Sequence, residues 1–174
     1  MVFYRKEKLE AGEELKMINI RSSEEIEKIS MSCQIVADTL IYLEDYIKPG
    51  QSVIELDQLA EDFIKSKGAR PAFKGYMGFP STLCISIDDA VVHGIPSKEL
   101  LKEGQIIGID CGAELSGYYG DHARSFAVSK ISAEKKKLLD VTEESLKRGI
   151  KMAKPGNYVG DIGHAIQTYA EENG

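Results

Sequence analysis

Two aspartates, Asp110 and Asp121, bound the segment DCGAELSGYYGD, which reads as a strand, a tight turn and a second strand. With Leu115-Ser116 at the centre of the turn, hairpin pairing sets Asp110 directly opposite Asp121, their Cβ atoms roughly 5 Å apart on one face of the sheet. Carboxylates at that separation repel, and burial forces one of them to take up a proton unless a cation lies between them. Carboxylate oxygens suit hard or borderline divalent ions such as Mn²⁺, Fe²⁺, Co²⁺ or Zn²⁺, and two carboxylates can bridge or clamp a pair of them. By spacing alone the pair reads equally well as exposed residues flanking an ordinary turn. His93, in VVHGIP, follows an apolar strand and precedes Gly94 and Pro96, which places its imidazole at a strand end near the aspartates. A lone strand-end histidine is also commonly a hydrogen-bonded structural residue. His122 adjoins Asp121 and so points to the opposite face of a strand. His164 reads as a solvated helix position.

The elements that must carry these residues are legible from periodicity. Ser22 and Glu25 form a capping box, and Ile26, Ile29, Cys33, Val36, Ala37, Leu40, Leu43 and Ile47 follow at helical spacing up to Lys48-Pro49-Gly50. Ser52 and Glu55 form a second capping box ahead of Leu56, Leu59, Ala60, Phe63 and Ile64, with Lys67-Gly68 as the stop. A Gly, Pro and aromatic stretch from Pro71 to Pro80 leads into LCISIDDAVVHGIP, two apolar pieces about a turn at Asp88-Asp89. GQIIGID predicts a third strand, paired with Tyr118 to Val128. Ser132 caps a third helix carrying Leu138, Leu139, Leu146 and Ile150, and a fourth runs from Val159 to Glu172.

The helix that ends at Lys48-Pro49-Gly50 and the one that ends at Lys154-Pro155-Gly156 are each followed by a shorter helix in register at an offset of 106: Val53 matches Val159, Leu56 matches Ile162, Phe63 matches Tyr169 and Gly68 matches Gly174. One reading is a common helix stop used twice. The other is a duplicated helix, helix, strand unit whose second copy stops before its strands.

Bulk composition limits the classes of function. The chain has 174 residues, 43% of them hydrophobic, enough for one core. Its 28 acidic and 22 basic residues, net charge -6, are spread along the chain and offer no basic face to nucleic acid or an anionic membrane. Three cysteines, Cys33, Cys84 and Cys111, at irregular spacing without CxxC argue against a disulfide framework or structural zinc and for a reducing, cytoplasmic compartment. No apolar run is long enough for a membrane span or a secretion signal. Residues 1–16 are highly charged and read as an extension outside the main fold, which occupies 17–174.

The segment GYMGFPSTLCISIDDAVVHGIP followed by GIDCGAELSGYYGDHARSF strongly resembles type I methionine aminopeptidases, within the wider creatinase and aminopeptidase group, from about Met17 to the C-terminus. The resemblance implies an α+β pita-bread fold, here cut short after the first half plus the first two helices of the second pseudo-symmetric repeat. It implies removal of the N-terminal methionine from nascent chains by two divalent ions, with an association with the ribosome. Carried over by position, Asp110 becomes a metal ligand and Asp121 a ligand bridging both ions. His93 becomes the catalytic histidine beside the scissile bond, outside the metal shell. Phe73, Tyr76, Phe79 and Cys84 become the wall of the pocket for the methionine side chain; aromatic rings and a soft sulfur suit a thioether, though such aromatics also serve as ordinary core. The further histidine and two glutamate ligands that the resemblance implies lie beyond the end of this sequence. Two rival functions follow: a half-fold that binds peptide or protein without hydrolysis, or a half-enzyme completed by another chain.

Overall fold

The structure, a computed structural model, describes residues 19–174. The expected extension over 1–16 and the domain start at residue 17 lie outside the described residues. Ser22 opens α1 (Ser23–Glu44): its hydroxyl accepts the Glu25 N–H at 3.2 Å while the Glu25 carboxylate accepts the Ser22 N–H at 2.8 Å. The helix ends at Glu44 rather than at the Lys48-Pro49-Gly50 corner. Tyr46 and Ile47 already donate to carbonyls three residues back, the tighter turn that often finishes a helix. The buried face runs through Ser32, Ile35, Val36, Thr39, Leu40 and Leu43, leaving the expected Ile26 and Cys33 exposed. Backbone approach explains that rotation. A Cβ on Gly120 would come within 2.5 Å of the Cys33 nitrogen, and the Ser32 hydroxyl donates to the Tyr118 carbonyl at 2.9 Å.

Helix α2 (Val53–Ser66) follows, but Ser52 does not cap it through its side chain. The first-turn N–H groups of Val53 and Ile54 donate instead to the carbonyls of Glu99 (3.0 Å) and Ser97 (2.8 Å), and Glu55 accepts from the Gln51 side chain. A distant segment thus satisfies the donors that the local box would have taken. Gly68, at φ 75°, closes the helix in the left-handed conformation.

The sheet is antiparallel throughout and centred on β3 (Ile106–Leu115). Strand β4 (Tyr118–Ala127) pairs along one edge of β3; β1 (Arg70–Pro71) and β2 (Leu83–Ile87) share the other, end to end. Ile107, Ile109, Cys111 and Ala113 alternate toward the helices and are fully buried in a core shared with Val36, Leu40, Leu43, Leu56 and Ile64. Helices on one face of an antiparallel sheet make this an α+β arrangement. The other face is left for chemistry.

The second apolar piece, AVV, is not a strand. Val91 and Val92 are 88% and 64% exposed, because only Gly94 comes alongside β2, its carbonyl accepting the Ile85 N–H at 2.8 Å. Beyond the sheet, Ser132 caps α3 (Ala133–Met152) by accepting the Lys135 N–H at 3.2 Å, and α4 (Val159–Glu172) packs back on it around Gly149. Helices α2 and α4 are each 14 residues long and occupy positions 106 apart, and the preceding Gly50 and Gly156 share a left-handed φ of 86° and 91°. The helix, glycine corner, shorter helix arrangement therefore recurs at that offset. Among the described residues no helix is long and apolar enough to cross a membrane.

Candidate functional site

The β3–β4 turn is centred on Ser116-Gly117, not on Leu115-Ser116. Both central residues have positive φ, 54° and 85°, the geometry of a two-residue hairpin turn that glycine tolerates and leucine resists. Moving the turn by one residue moves the pairing by two. Asp110 is opposite Ala123, and Asp121 is opposite Gly112. A shift of two preserves the face, so the aspartates still share one surface as diagonal neighbours across the ladder. His122, opposite Cys111, points to the helix face as expected, and His164 is exposed on α4.

Asp110 is half-buried and Asp121 exposed. Burial pushes the Asp110 carboxyl above the usual carboxylate range, and the charge of Asp121 pushes it further, while His93 acts in the opposite direction. Cys84, opposite Asp110 on β2, is buried, and its thiol is pushed up by burial and then by both aspartates. Cys111, facing the core, is pushed up to about 12 by its burial. Neither thiol is a ready thiolate.

His93 is held at the edge of β2 by its neighbour. A Cβ on Gly94 would lie 2.0 Å from the Ile85 carbonyl oxygen, so only glycine fits, and the Gly94 N–H donates to the Ser86 hydroxyl at 3.2 Å. His93 itself sits at φ 59°, exposed, close enough to Asp110 to act on its charge.

On the other side of the aspartates, the ring of Phe73 covers Gly112: a Cβ there would come within 2.6 Å of the ring carbon Cε1. Gly112 is thus the place where the aromatic stretch meets the carboxylates. Tyr76 is 70% exposed on a single 3₁₀ turn (Tyr76–Gly78), while Phe73 and Phe79 are half-buried. The structure brings Phe73, Cys84, His93, Asp110 and Asp121 to one face.

A further set of charges went unread in the sequence. Asp57 and Glu61, one turn apart on the inner face of α2, are both buried. Asp57 accepts the Leu83 N–H at 2.7 Å, just before Cys84, and Glu61 accepts from Lys65 and from Lys74, each at 2.6 Å. Desolvation pushes the Asp57 carboxyl up. The two lysines hold Glu61 below the usual range. The signal was two acids set into the row Val53, Leu56, Ala60, Ile64, where an amphipathic helix carries apolar residues.

The donor set suits a hard or borderline divalent cation. Oδ1 of Asp110 is buried without a hydrogen-bond partner, which is costly for a carboxylate oxygen unless something else satisfies it. Among the described residues, however, no group of three or more His, Cys, Asp or Glu is clustered as a metal site. An open groove of about 940 Å³ lies elsewhere, between α3 and α4, lined by residues such as Leu138, Val141, Leu146 and Ile166. It shares no residue with the aspartate face.

Comparison with known proteins places this face in context. The chain is 52% identical over 159 residues to the methionine aminopeptidase of Clostridium acetobutylicum, covering 91% of this chain and 64% of that protein. It superposes on the crystal structure of methionine aminopeptidase from Rickettsia prowazekii with a TM-score of 0.88 at 39% identity, covering 90% of this chain and 63% of that one. Prolidase from Pyrococcus furiosus matches with a TM-score of 0.80 at 25% identity, over 89% of this chain and 44% of that one. The chain spans less than two thirds of the length of these relatives, and its fold is the pita-bread fold they share. Residues 27–174 match the metallopeptidase family M24, and the chain belongs to that family.

Proposed function

We propose that these residues act in the metal-dependent removal of methionine from the N-termini of nascent proteins. The single observation that carries this reading is the shared face of Asp110 and Asp121, with a buried carboxylate oxygen left unpartnered beside His93 and Cys84. The similarity to methionine aminopeptidases supports the choice of substrate. In this reading Asp110 and Asp121 hold a pair of divalent ions (Co, Mn, Fe or Zn). When bound, such ions generate a nucleophile from water at neutral pH and polarise the scissile carbonyl. His93 hydrogen-bonds the substrate amide. Phe73, Tyr76, Phe79 and Cys84 receive the thioether side chain and exclude water from it. Because an unprocessed N-terminus first appears on an emerging chain, association with the ribosome belongs to the same proposal. A cytoplasmic setting is supported by three free cysteines.

A second reading rests on the absence of a third clustered ligand among the described residues. Two carboxylates alone make a weak cation site, and such a chain would bind peptide or protein without hydrolysis, or act with ligands supplied by another chain. The deciding experiment measures methionine release from a Met-Ala-Ser peptide by the 174-residue chain with Mn²⁺ or Co²⁺, beside an Asp121→Asn control. Release that needs both metal and Asp121 supports the catalytic reading. No release from this chain, while an intact relative is active in the same assay, supports the second.

A further inference from the structure

The segment from Phe73 to Phe79 is a small loop closed mainly on itself. Tyr76 N–H donates to the Phe73 carbonyl (2.9 Å), Gly75 N–H to Phe79 (2.8 Å) and Phe79 N–H to Tyr76 (2.9 Å), and Met77 inside it has a left-handed φ of 47°. Just before the loop, Ala72 N–H donates to the Gly112 carbonyl at 2.9 Å. Just after it, Asp57 of α2 holds the Leu83 N–H at 2.7 Å. Between these anchors, the loop's side-chain hydrogen bond to another element, among the described residues, is Lys74 to Glu61 at 2.6 Å. Glu61 is nearly buried, its side chain 9% exposed, so its carboxylate is fixed by packing while Lys74 is 45% exposed.

We propose that the Glu61–Lys74 ion pair is a tether from α2 that sets the position of the aromatic loop over the aspartate face, making Glu61 and Lys74 positioning residues for the substrate side chain. The proposal rests on the reading that this loop forms the methionine pocket. Three features favour a tether over an incidental surface pair. Glu61 is a carboxylate on the apolar face of a helix, where its burial needs a compensating cation. Lys65, one turn on, supplies one cation from the same helix at 2.6 Å, so the second, reaching in from the loop, is not required for charge compensation. Finally, Asp57 and Glu61 grip the chain on both sides of the pocket from a single rigid element, which fixes the spacing between Phe73 and Cys84.

That redundancy makes a clean test. In the intact protein, Lys74→Met cuts the tether while Lys65 still compensates Glu61; Lys65→Met removes the other cation and leaves the tether. Hydrogen exchange at the amides of Gly75, Tyr76 and Phe79 reads loop position without any need for activity. Lys74→Met is expected to speed their exchange about fivefold, on the scale of a partly exposed ion pair, with Lys74→Arg restoring protection and Lys65→Met leaving it unchanged. With the same peptide, Lys74→Met should raise KM more than it lowers kcat, the mark of weakened uniform binding of the substrate side chain. Unchanged exchange in Lys74→Met, equal loosening by Lys65→Met, or faster exchange spread evenly through α2 and the sheet would each overturn the tether. If the wild-type protein releases no methionine, the proposed activity fails, and the exchange comparison still decides the tether.

Discussion

The ring of Phe73 rests on Gly112, the residue that faces Asp121 across the β3–β4 ladder. Backbone at 112 therefore serves both as a strand position beside the carboxylates and as the floor beneath an aromatic ring. Gly112→Ala is expected to destabilise the protein by about 1–3 kcal/mol, the usual range for overpacking, and to displace Phe73. Thermal unfolding with and without the substitution checks the first part. Weaker binding of a methionine-terminated peptide checks the second.

Asp110→Asn should stabilise the metal-free protein at neutral pH while abolishing metal binding. Burial and Asp121 raise the Asp110 pKa in the folded state above its unfolded value of about 3.9. The folded state therefore binds the proton more tightly, and stability falls as pH rises through the folded pKa. Removing the charge should recover about 1 kcal/mol at pH 7, the order of an unsatisfied buried polar group. The gain should shrink as pH falls toward the unfolded pKa. Denaturant midpoints of both proteins at about pH 4 and pH 7, in chelator, test the sign.

The α3–α4 hairpin is fastened to the sheet half at Lys135, whose ammonium donates to Asp88 at 2.5 Å and to the Gly104 carbonyl at 2.7 Å. Both side chains are about one-third exposed. Asp88 also accepts the Ile106 N–H at 3.1 Å and sits at φ 52°. Lys135→Met is expected to cost about 1 kcal/mol and to raise hydrogen exchange in α3 and α4 more than in β3. Equal loosening of both regions would show that Lys135 is not a joint.

Leu138 and Leu146, in the groove between α3 and α4, and Ile150 further along α3 are 56%, 53% and 62% exposed. Large apolar side chains left exposed in this way favour association. The 174-residue chain on its own is expected to form dimers or larger species, and Leu138→Lys with Ile150→Lys should shift it toward monomer with little change in unfolding midpoint. Sedimentation at several concentrations decides. A clean wild-type monomer would remove these side chains from consideration.

Much of the fold was written locally. The Ser22 and Ser132 caps, the glycine at the end of α2 and the 106-residue offset between α2 and α4 depend on residues a few positions apart or on plain repetition. The two aspartates could be placed on one face because strand alternation has a period of two, and even the misplaced turn kept their parity. Strand alternation also marked GQIIGID and Tyr118 to Val128 as paired strands, as β3 and β4 are.

Tertiary contacts decided the rest, because they involve partners far apart in sequence. Glu99 and Ser97 replaced Ser52 as the cap of α2, and Gly120 rotated α1 by admitting its backbone. The unpartnered oxygen of Asp110 and the raised pKa of its carboxyl depend on burial, which spacing does not record. Spacing likewise did not show that Glu61 reaches Lys74, thirteen residues away on a different element. The amino-acid order determined which groups share a face; only packing determined which of them are desolvated, paired or left waiting for a ligand.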